Sequence, residues 1–368
     1  MLTNPLYLIK GILSRTLYII PRQPERIQIE ITNRCNCACG MCPRESFNLF
    51  EKDIPLDLFK KIIDNITQLS LNQIAPLTSP PSQGGDEGGV KKLAKKEKFL
   101  QGNATESHYN IILTGWGEPL LHPALMDMIV YTKGKGHRVG VTTNGLLLAD
   151  FIEKFIEIPL DKLTISLDSV EECDEVIEGH PSNKVVLKNI ESLIRSRGAK
   201  KKPIVTIQIT MHGKQQCLDT VKFAGEVGAD RVYLVRLTVP LGKNEFKRPS
   251  LEEELEIYKE SERIAERYGL QVDNNYTAFD NSLFRLLYKK LRPMMYRFDK
   301  YCPKPYDYLY VTIDGNVTPC CDLPRYEVGN ILKQSLDEIW HGENMQYFRE
   351  HQNDVCGTCD ALRLKHLN

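Results

Sequence analysis

Four cysteines stand within eight residues, Cys35-Asn36-Cys37-Ala38-Cys39-Gly40-Met41-Cys42, directly after the strand-like run Arg26-Ile27-Gln28-Ile29-Glu30-Ile31-Thr32. Cys35, Cys39 and Cys42 have C-x3-C-x2-C spacing. Each iron of a [4Fe-4S] cube needs one outside ligand, so three thiolates leave one iron open to another molecule. Zinc also takes thiolates in tetrahedral geometry, but structural zinc sites favour paired C-x2-C knuckles with four ligands. Cys37 is left over, either as a fourth local ligand or as a loop residue.

A second set lies far downstream at Cys302, Cys320, Cys321, Cys356 and Cys359. Leu309 to Thr318 reads as two alternating strands around the Asp314-Gly315 turn, which returns Cys320 toward Cys302. Ser335 with Glu338 caps a short helix ending near Trp340, and Cys356-x2-Cys359 supplies two more thiolates. Four distant thiolates make either a zinc site or a fully ligated [4Fe-4S] cluster, and spacing leaves that choice open.

Polar groups recur at the ends of strand-like runs. Thr114-Gly115-Trp116-Gly117-Glu118-Pro119 offers two glycines that let backbone approach a ligand, with the Glu118 carboxylate beside them to receive an ammonium group. Asn144, in Thr142-Thr143-Asn144-Gly145, is a further hydrogen-bonding candidate in what is also a favoured turn. Ser166 and Asp168 share a face by period-two alternation and suit ribose hydroxyls or a carboxylate-bearing ligand. Gln208, Thr210, Tyr233 and Arg236 are weaker candidates for lining a cavity. No histidine or carboxylate stands out as a general acid or base, so the catalytic residue is unassigned.

The elements that must position these groups follow a β-α rhythm. Strands are expected at 26–32, 111–114, 137–142, 162–167, 204–211 and 231–237, with helices at 55–70, 123–133, 147–156, 184–196 and 214–227. Ser250 with Glu253 caps a sixth helix ending near Gly269. Six parallel strands make an α/β fold, a partial (β/α)6 TIM barrel with its chemistry at the C-terminal strand ends, followed by a small cysteine-rich α+β extension. The division expected is an N-terminal helical extension at 1–25, a core at 26–297 and the cysteine-rich domain at 298–368. Residues 72–108, rich in Pro, Gly and Lys, read as a disordered insertion in the core.

With 368 residues and 42% hydrophobic content, a sizeable core is possible. Lys plus Arg equals Asp plus Glu at 48 each, which gives no electrostatic support to a nucleic-acid partner. Eleven cysteines with no secretory leader favour metal ligation in a reducing cytoplasm over disulfides. The apolar stretch at residues 3–20, broken by Lys10 and Arg15, is too short to span a bilayer. It reads as a helix packed on the barrel or as a weak peripheral membrane contact.

The C-x3-C-x2-C loop after the first strand resembles the radical S-adenosylmethionine (AdoMet) superfamily. Gly115, Gly117, Glu118 and Pro119 match that family's GGEP-like motif, with Trp116 where another glycine is often found. The resemblance implies a [4Fe-4S] cluster on Cys35, Cys39 and Cys42 with AdoMet on the open iron, and makes Cys37 a non-ligand whose side chain points away. It implies AdoMet contacts by Gly115, Gly117, Glu118, Asn144, Ser166 and Asp168. It also implies reductive cleavage to a 5'-deoxyadenosyl radical, fed by a reductant such as flavodoxin or ferredoxin. Cys302-x12-Gly315-x4-Cys320, Gly329-Asn330-Ile331 and Cys356-x2-Cys359 look like the SPASM or shorter twitch extension of these enzymes. That implies one auxiliary [4Fe-4S] cluster on Cys302, Cys320, Cys356 and Cys359, with Cys321 competing for the second place. The one-cluster pattern is similar to that of radical AdoMet alcohol dehydrogenases, so the expected reaction is oxidation of a small metabolite or sugar-like alcohol. Ribosomal peptide maturation by crosslinking or epimerisation is the alternative, and a non-catalytic metal-binding scaffold is the reading of another class.

Overall fold

The computed structural model describes residues 23–47, 50–72, 109–158, 160–171, 183–237, 248–274 and 304–356. Cys302 and Cys359, the stretch at 3–20 and all but the first residue of the expected insertion lie outside them. The six expected parallel strands are present as β1 (Arg26–Ile29), β2 (Asn110–Leu113), β3 (Arg138–Thr143), β4 (Lys162–Ser166), β5 (Ile204–Met211) and β6 (Arg231–Arg236), each beside the next. The helices between them are α1 (Leu56–Asn72), α2 (Leu125–Gly134), α3 (Ile152–Glu157), α4 (Asn183–Arg197) and α5 (Lys214–Val227). A sixth, α6 (Leu251–Glu266), starts on the Ser250–Glu253 capping box and leads into a further parallel strand, β7 (Gln271–Asn274). Sequence alternation had not marked β7, which is short and polar.

Alternation gives the sheet two unlike faces. Ile29, Leu113, Val141, Leu163 and Val205 are in register across five strands, and all are buried. They share one core with Phe59, Ile62 and Ile63 of α1, Met128 of α2, Ile190 of α4 and Val221 of α5. The other face is polar: Ser166, Gln208, Tyr233 and Asp273 form one row of it. A filled TIM barrel would carry bulky apolar residues there.

The sheet curls without closing. In a flat sheet, β1 and β6 would lie about 24 Å apart at the usual strand spacing. Tyr233 of β6 nevertheless sits in the field of Arg26 on β1, which opposes the upward push of burial on its phenol. With β8 (Tyr308–Val311), β9 (Asn316–Thr318) and β10 (Gly329–Asn330) from the C-terminal segment, the described strands run β10-β9-β8-β1-β2-β3-β4-β5-β6-β7, with β10 and β7 as the two edges.

The C-terminal strands extend this sheet. β8 (Tyr308–Val311) pairs in parallel with β1, and β9 (Asn316–Thr318) folds back on β8 around Gly315, whose φ of +77° suits the expected Asp-Gly turn. A two-residue strand, β10 (Gly329–Asn330), completes the hairpin side. Without β8 the outer edge of β1 would lack partners for its backbone groups. Tyr308 also donates its hydroxyl to Gln28 on β1 at 2.8 Å. Beyond the strands, α7 (Leu336–His341) begins on the Ser335–Glu338 capping box, followed by α8 (Glu343–Glu350) and α9 (Gln352–Cys356). No helix among the described residues is long and apolar enough to cross a membrane.

One buried side chain links the helices to the strand ends. Asn189 of α4 donates to the carbonyls of Gly145 at 2.8 Å and Leu146 at 3.2 Å, holding the turn that carries Asn144. Gly145 has φ of +80°, and a Cβ there would meet Val186 of α4 at 2.9 Å. Asn189→Ala leaves both carbonyls short of a donor and should lower stability by about 1–3 kcal/mol in chemical denaturation.

Candidate functional site

The cysteine loop leaves β1 through a stem pinned on all sides. Asn33 is buried, donating to the Phe50 carbonyl at 2.6 Å and accepting from the Lys52 amide at 2.7 Å. Arg34 grips Asp53 with two parallel bonds of 3.0 and 2.6 Å and donates to the Leu121 carbonyl at 3.1 Å. This bidentate pair holds the Asp53 carboxyl below its usual range against the upward push of desolvation. Sequence reasoning passed over Asn33, Arg34 and Asp53. The available signal was a polar Thr-Asn-Arg run directly between a strand and a cysteine cluster.

The turn after β2 braces the same stem from the other side. A Cβ on Gly117 would lie 2.5 Å from the carbonyl oxygens of Thr32 and Arg34, and one on Gly115 would lie 2.4 Å from Glu30 Cγ. The Glu118 amide donates to the Arg34 carbonyl at 2.8 Å. Gly117 is therefore needed for backbone to pack on backbone, and Gly115 for backbone to pack on the Glu30 side chain. Trp116 between them donates its amide to Glu30 Oε1 at 3.1 Å and its indole N–H to the Cys321 carbonyl at 3.2 Å.

Glu118 and Asn144 meet at the next strand end. Glu118 is 3% exposed; its Oε1 accepts from the Leu120 amide at 3.0 Å and the Thr143 hydroxyl at 2.7 Å, and its Oε2 from the Asn144 amide at 2.7 Å. Burial pushes its carboxyl up to about 7 despite these donors. The Asn144 side chain donates to Asn36 Oδ1 at 2.8 Å and to Cys37 Sγ at 3.1 Å, so the turn after β3 touches the cysteine loop directly. Asp168 accepts from the Thr210 amide at 2.6 Å, and its charge reaches Cys39. Ser166 is half-buried on the polar face, in register with Gln208.

Cys35 is drawn down to about 6, chiefly by a hydrogen bond from Cys37, and Cys39 is lowered by the same neighbour. Cys37 is buried and keeps its proton, lying between those two thiols where an orientation away from them was expected. The reason is local: its sulfur receives the Asn144 amide and bonds both flanking cysteines. Burial raises Cys42. Thiols already inclined to ionise suit metal ligation. Ligands of a single tetrahedral zinc would stand about 3.8 Å apart, given the usual Zn–S length. Among the described residues, Cys320, Cys321 and Asp322 bring their ligand atoms within 4.8 Å of one another.

At the second centre, Lys304 points its ammonium at Cys320 Sγ, 3.3 Å away, and at Asp322 Oδ2, 3.1 Å away. Desolvation disfavours that charge, but the thiol and carboxyl neighbours win and hold Lys304 well above its usual value. Cys356 ends α9, within the field of Tyr326 in the turn that follows Cys321. The structure thus brings Cys320, Cys321 and Asp322 together and places Cys356 near the same turn. Asp322 and Lys304 were not anticipated from sequence.

Gly117→Ala forces a methyl group into two carbonyl oxygens, an overpacking that typically costs about 1–3 kcal/mol. The expected result is a lowered denaturation midpoint and, after anaerobic iron and sulfide reconstitution, loss of iron from the first centre with the second retained.

Residues 29–224 match the radical SAM superfamily, and residues 302–360 match the SPASM iron-sulfur cluster-binding domain. The chain is 25% identical over 351 residues to the tungsten-containing aldehyde ferredoxin oxidoreductase cofactor-modifying protein of Pyrococcus furiosus, covering 88% of this chain and 82% of that relative. Its fold is similar to Streptococcus suis SuiB bound to S-adenosylmethionine, with TM-score 0.64 and 14% identity over 97% of this chain and 75% of that one. It is also similar to anSMEcpe with bound AdoMet and Cp18Cys peptide, with TM-score 0.58 and 14% identity over 92% of this chain and 88% of that one. The match across more than half of its length, joined to the cysteine loop and its bracing turn, places this chain in the radical SAM superfamily, as an enzyme with a SPASM-type iron-sulfur domain at its C-terminal end.

Proposed function

We propose that this enzyme modifies a peptide by hydrogen abstraction, with AdoMet and a [4Fe-4S] cluster held by Cys35, Cys39 and Cys42. An auxiliary [4Fe-4S] cluster would be held by Cys302, Cys320 or Cys321, Cys356 and Cys359. The curled sheet is read as a partial (β/α)6 barrel spanning 26–297, with the auxiliary domain at 298–368. When bound, the first cluster supplies the electron that cleaves AdoMet to methionine and a 5'-deoxyadenosyl radical. A flavodoxin or ferredoxin is the class of partner that would deliver it.

The observation that carries AdoMet binding is the unfilled hydrogen-bonding capacity of Glu118. Its Oε1 takes two donors and its Oε2 one, so a position on Oε2 is left for an ammonium N–H. A buried carboxylate raised to about 7 would gain most from such a cation. Gly115 and Gly117 hold that carboxylate against the cysteine stem, and Asn144 spans from it to the loop. Ser166 and Asp168 carry the remaining polar groups toward the same end of the sheet.

The peptide reading rests on the polar face and on the fold's neighbours. The polar row of Ser166, Gln208, Tyr233 and Asp273 from β4 to β7 can receive a chain of polar groups. SuiB, which shares the fold, has a structure bound to its precursor peptide SuiA, and anSMEcpe holds a peptide too. A second reading, modification or oxidation of a small molecule or cofactor, is favoured by the cofactor-modifying relative from Pyrococcus furiosus, which aligns over most of both chains.

Because Glu118 is raised above its unfolded value, its contribution to stability is fullest below the ordinary carboxylate range and is lost as pH climbs through about 7. The ammonium needs the ionised form, so AdoMet affinity of the reconstituted protein should rise with pH across 6 to 8, measured by calorimetry. Glu118→Gln should flatten that profile and weaken binding about tenfold or more, roughly 1.4 kcal/mol. A flat profile in the native protein would remove Glu118 from the AdoMet site.

Reconstitution should give about eight irons per chain, as two [4Fe-4S] clusters require, with 5'-deoxyadenosine formed only when reductant is present. Zinc in place of iron, or no cleavage, supports the scaffold reading. Deuterium passing into 5'-deoxyadenosine from a labelled candidate peptide supports peptide modification. Transfer from a small alcohol or cofactor precursor alone selects the second reading.

A further inference from the structure

We infer that Trp116 is a positioning residue that ties the C-terminal cysteine centre to the turn bracing the first one, and so sets the electrostatic surroundings of the auxiliary cluster. The inference rests on the reading that both cysteine sets hold clusters. Three separate parts of the chain converge on this side chain. Its amide is held by Glu30 at the exit of β1, its indole N–H by the Cys321 carbonyl, and its ring packs edge-on against Phe47 at 4.8 Å. Phe47 in turn accepts at its carbonyl from Arg325 at 2.5 Å, which comes from the turn following Cys321.

The backbone of Trp116 has little freedom to move away. Gly115 and Gly117 on either side lie so close to Glu30 and to the Thr32 and Arg34 carbonyls that not even a methyl group fits. The next residue, Glu118, donates its amide to Arg34 and accepts the amide of Asn144. The peptide bearing Cys321 is therefore fixed, through one rigid ring, to the strand ends around Cys35 and Cys39. An N–H donor on a peptide beside a cluster offsets the negative charge added on reduction, and such outer hydrogen bonds raise reduction potential. A glycine at this position would provide neither the ring nor the donor.

The test isolates the auxiliary centre in a Cys35→Ala, Cys39→Ala, Cys42→Ala chain, reconstituted with iron and sulfide and compared with the same chain carrying Trp116→Phe. The phenylalanine keeps a ring and removes the N–H. Equal iron per chain, a lower auxiliary midpoint potential and an altered EPR spectrum of the reduced cluster are expected for Trp116→Phe. Tryptophan emission gives an independent readout, because the sequence holds only two tryptophans. The part of the emission absent in Trp116→Phe should be strongly quenched when the centre is loaded. A loaded centre whose potential and EPR spectrum are unchanged in Trp116→Phe, and which leaves the Trp116 emission unquenched, overturns the inference while leaving the proposed function intact. A chain that takes up no cluster at the C-terminal centre overturns the auxiliary-cluster reading itself, and the inference with it.

Discussion

Backbone contact between the turn after β2 and the stem leaving β1 governs the whole candidate site. Gly117 lies against the carbonyls of Thr32 and Arg34 at a separation that a single Cβ would close to 2.5 Å. That contact sets the height of the cysteine loop relative to Glu118. Glu118 then reaches β3, where Thr143 and Asn144 donate to it, and Asn144 returns to the loop at Asn36 and Cys37. Three strand ends are thus closed into one ring of hydrogen bonds around a buried carboxylate. Burying that charge is unfavourable by itself, which is why its carboxyl is pushed up to about 7. Strongly shifted carboxyls of this kind cluster at functional sites.

The two faces of the sheet divide the work. Branched apolar side chains in register from β1 to β5 bury themselves against the helices and supply the cohesion of the core. The opposite face is left polar and curls around, so that Tyr233 on β6 feels Arg26 on β1. Strand β8 belongs to the C-terminal segment yet pairs with β1, making that segment part of the same sheet. The pairing satisfies the β1 edge and brings the Cys320–Cys321 pair close enough for Trp116 to reach it. Lys52 with Asp314, at 2.6 Å, adds a second bond between the cysteine-loop flank and the C-terminal hairpin.

Much of this order was legible in the chain. Period-two and helical apolar patterns located all six core strands and the helices between them to within a few residues, because burial on one side imposes a local periodicity. Both capping boxes, at Ser250 and Ser335, were readable for the same reason: each acts between residues three apart. The short polar β7 was not, since it carries too little alternation to register. The partners of the candidate ligands were also hidden. Glu118 reads in sequence as a carboxylate offered to a ligand, yet in the fold it also locks β3, and Cys37 sits between the thiols it was expected to leave.

The residue types able to ligate a cluster, the order of the β-α units and the caps that start helices are written in spacing along one segment, and so can be read from the chain. That β8 continues the sheet at β1, that Arg34 is clamped by Asp53, that Lys304 faces Cys320 and that Trp116 spans from Glu30 to Cys321 emerges from the three-dimensional arrangement. Those contacts join residues far apart in the chain. Their geometry depends on how strand ends curl and meet, and no local period records that.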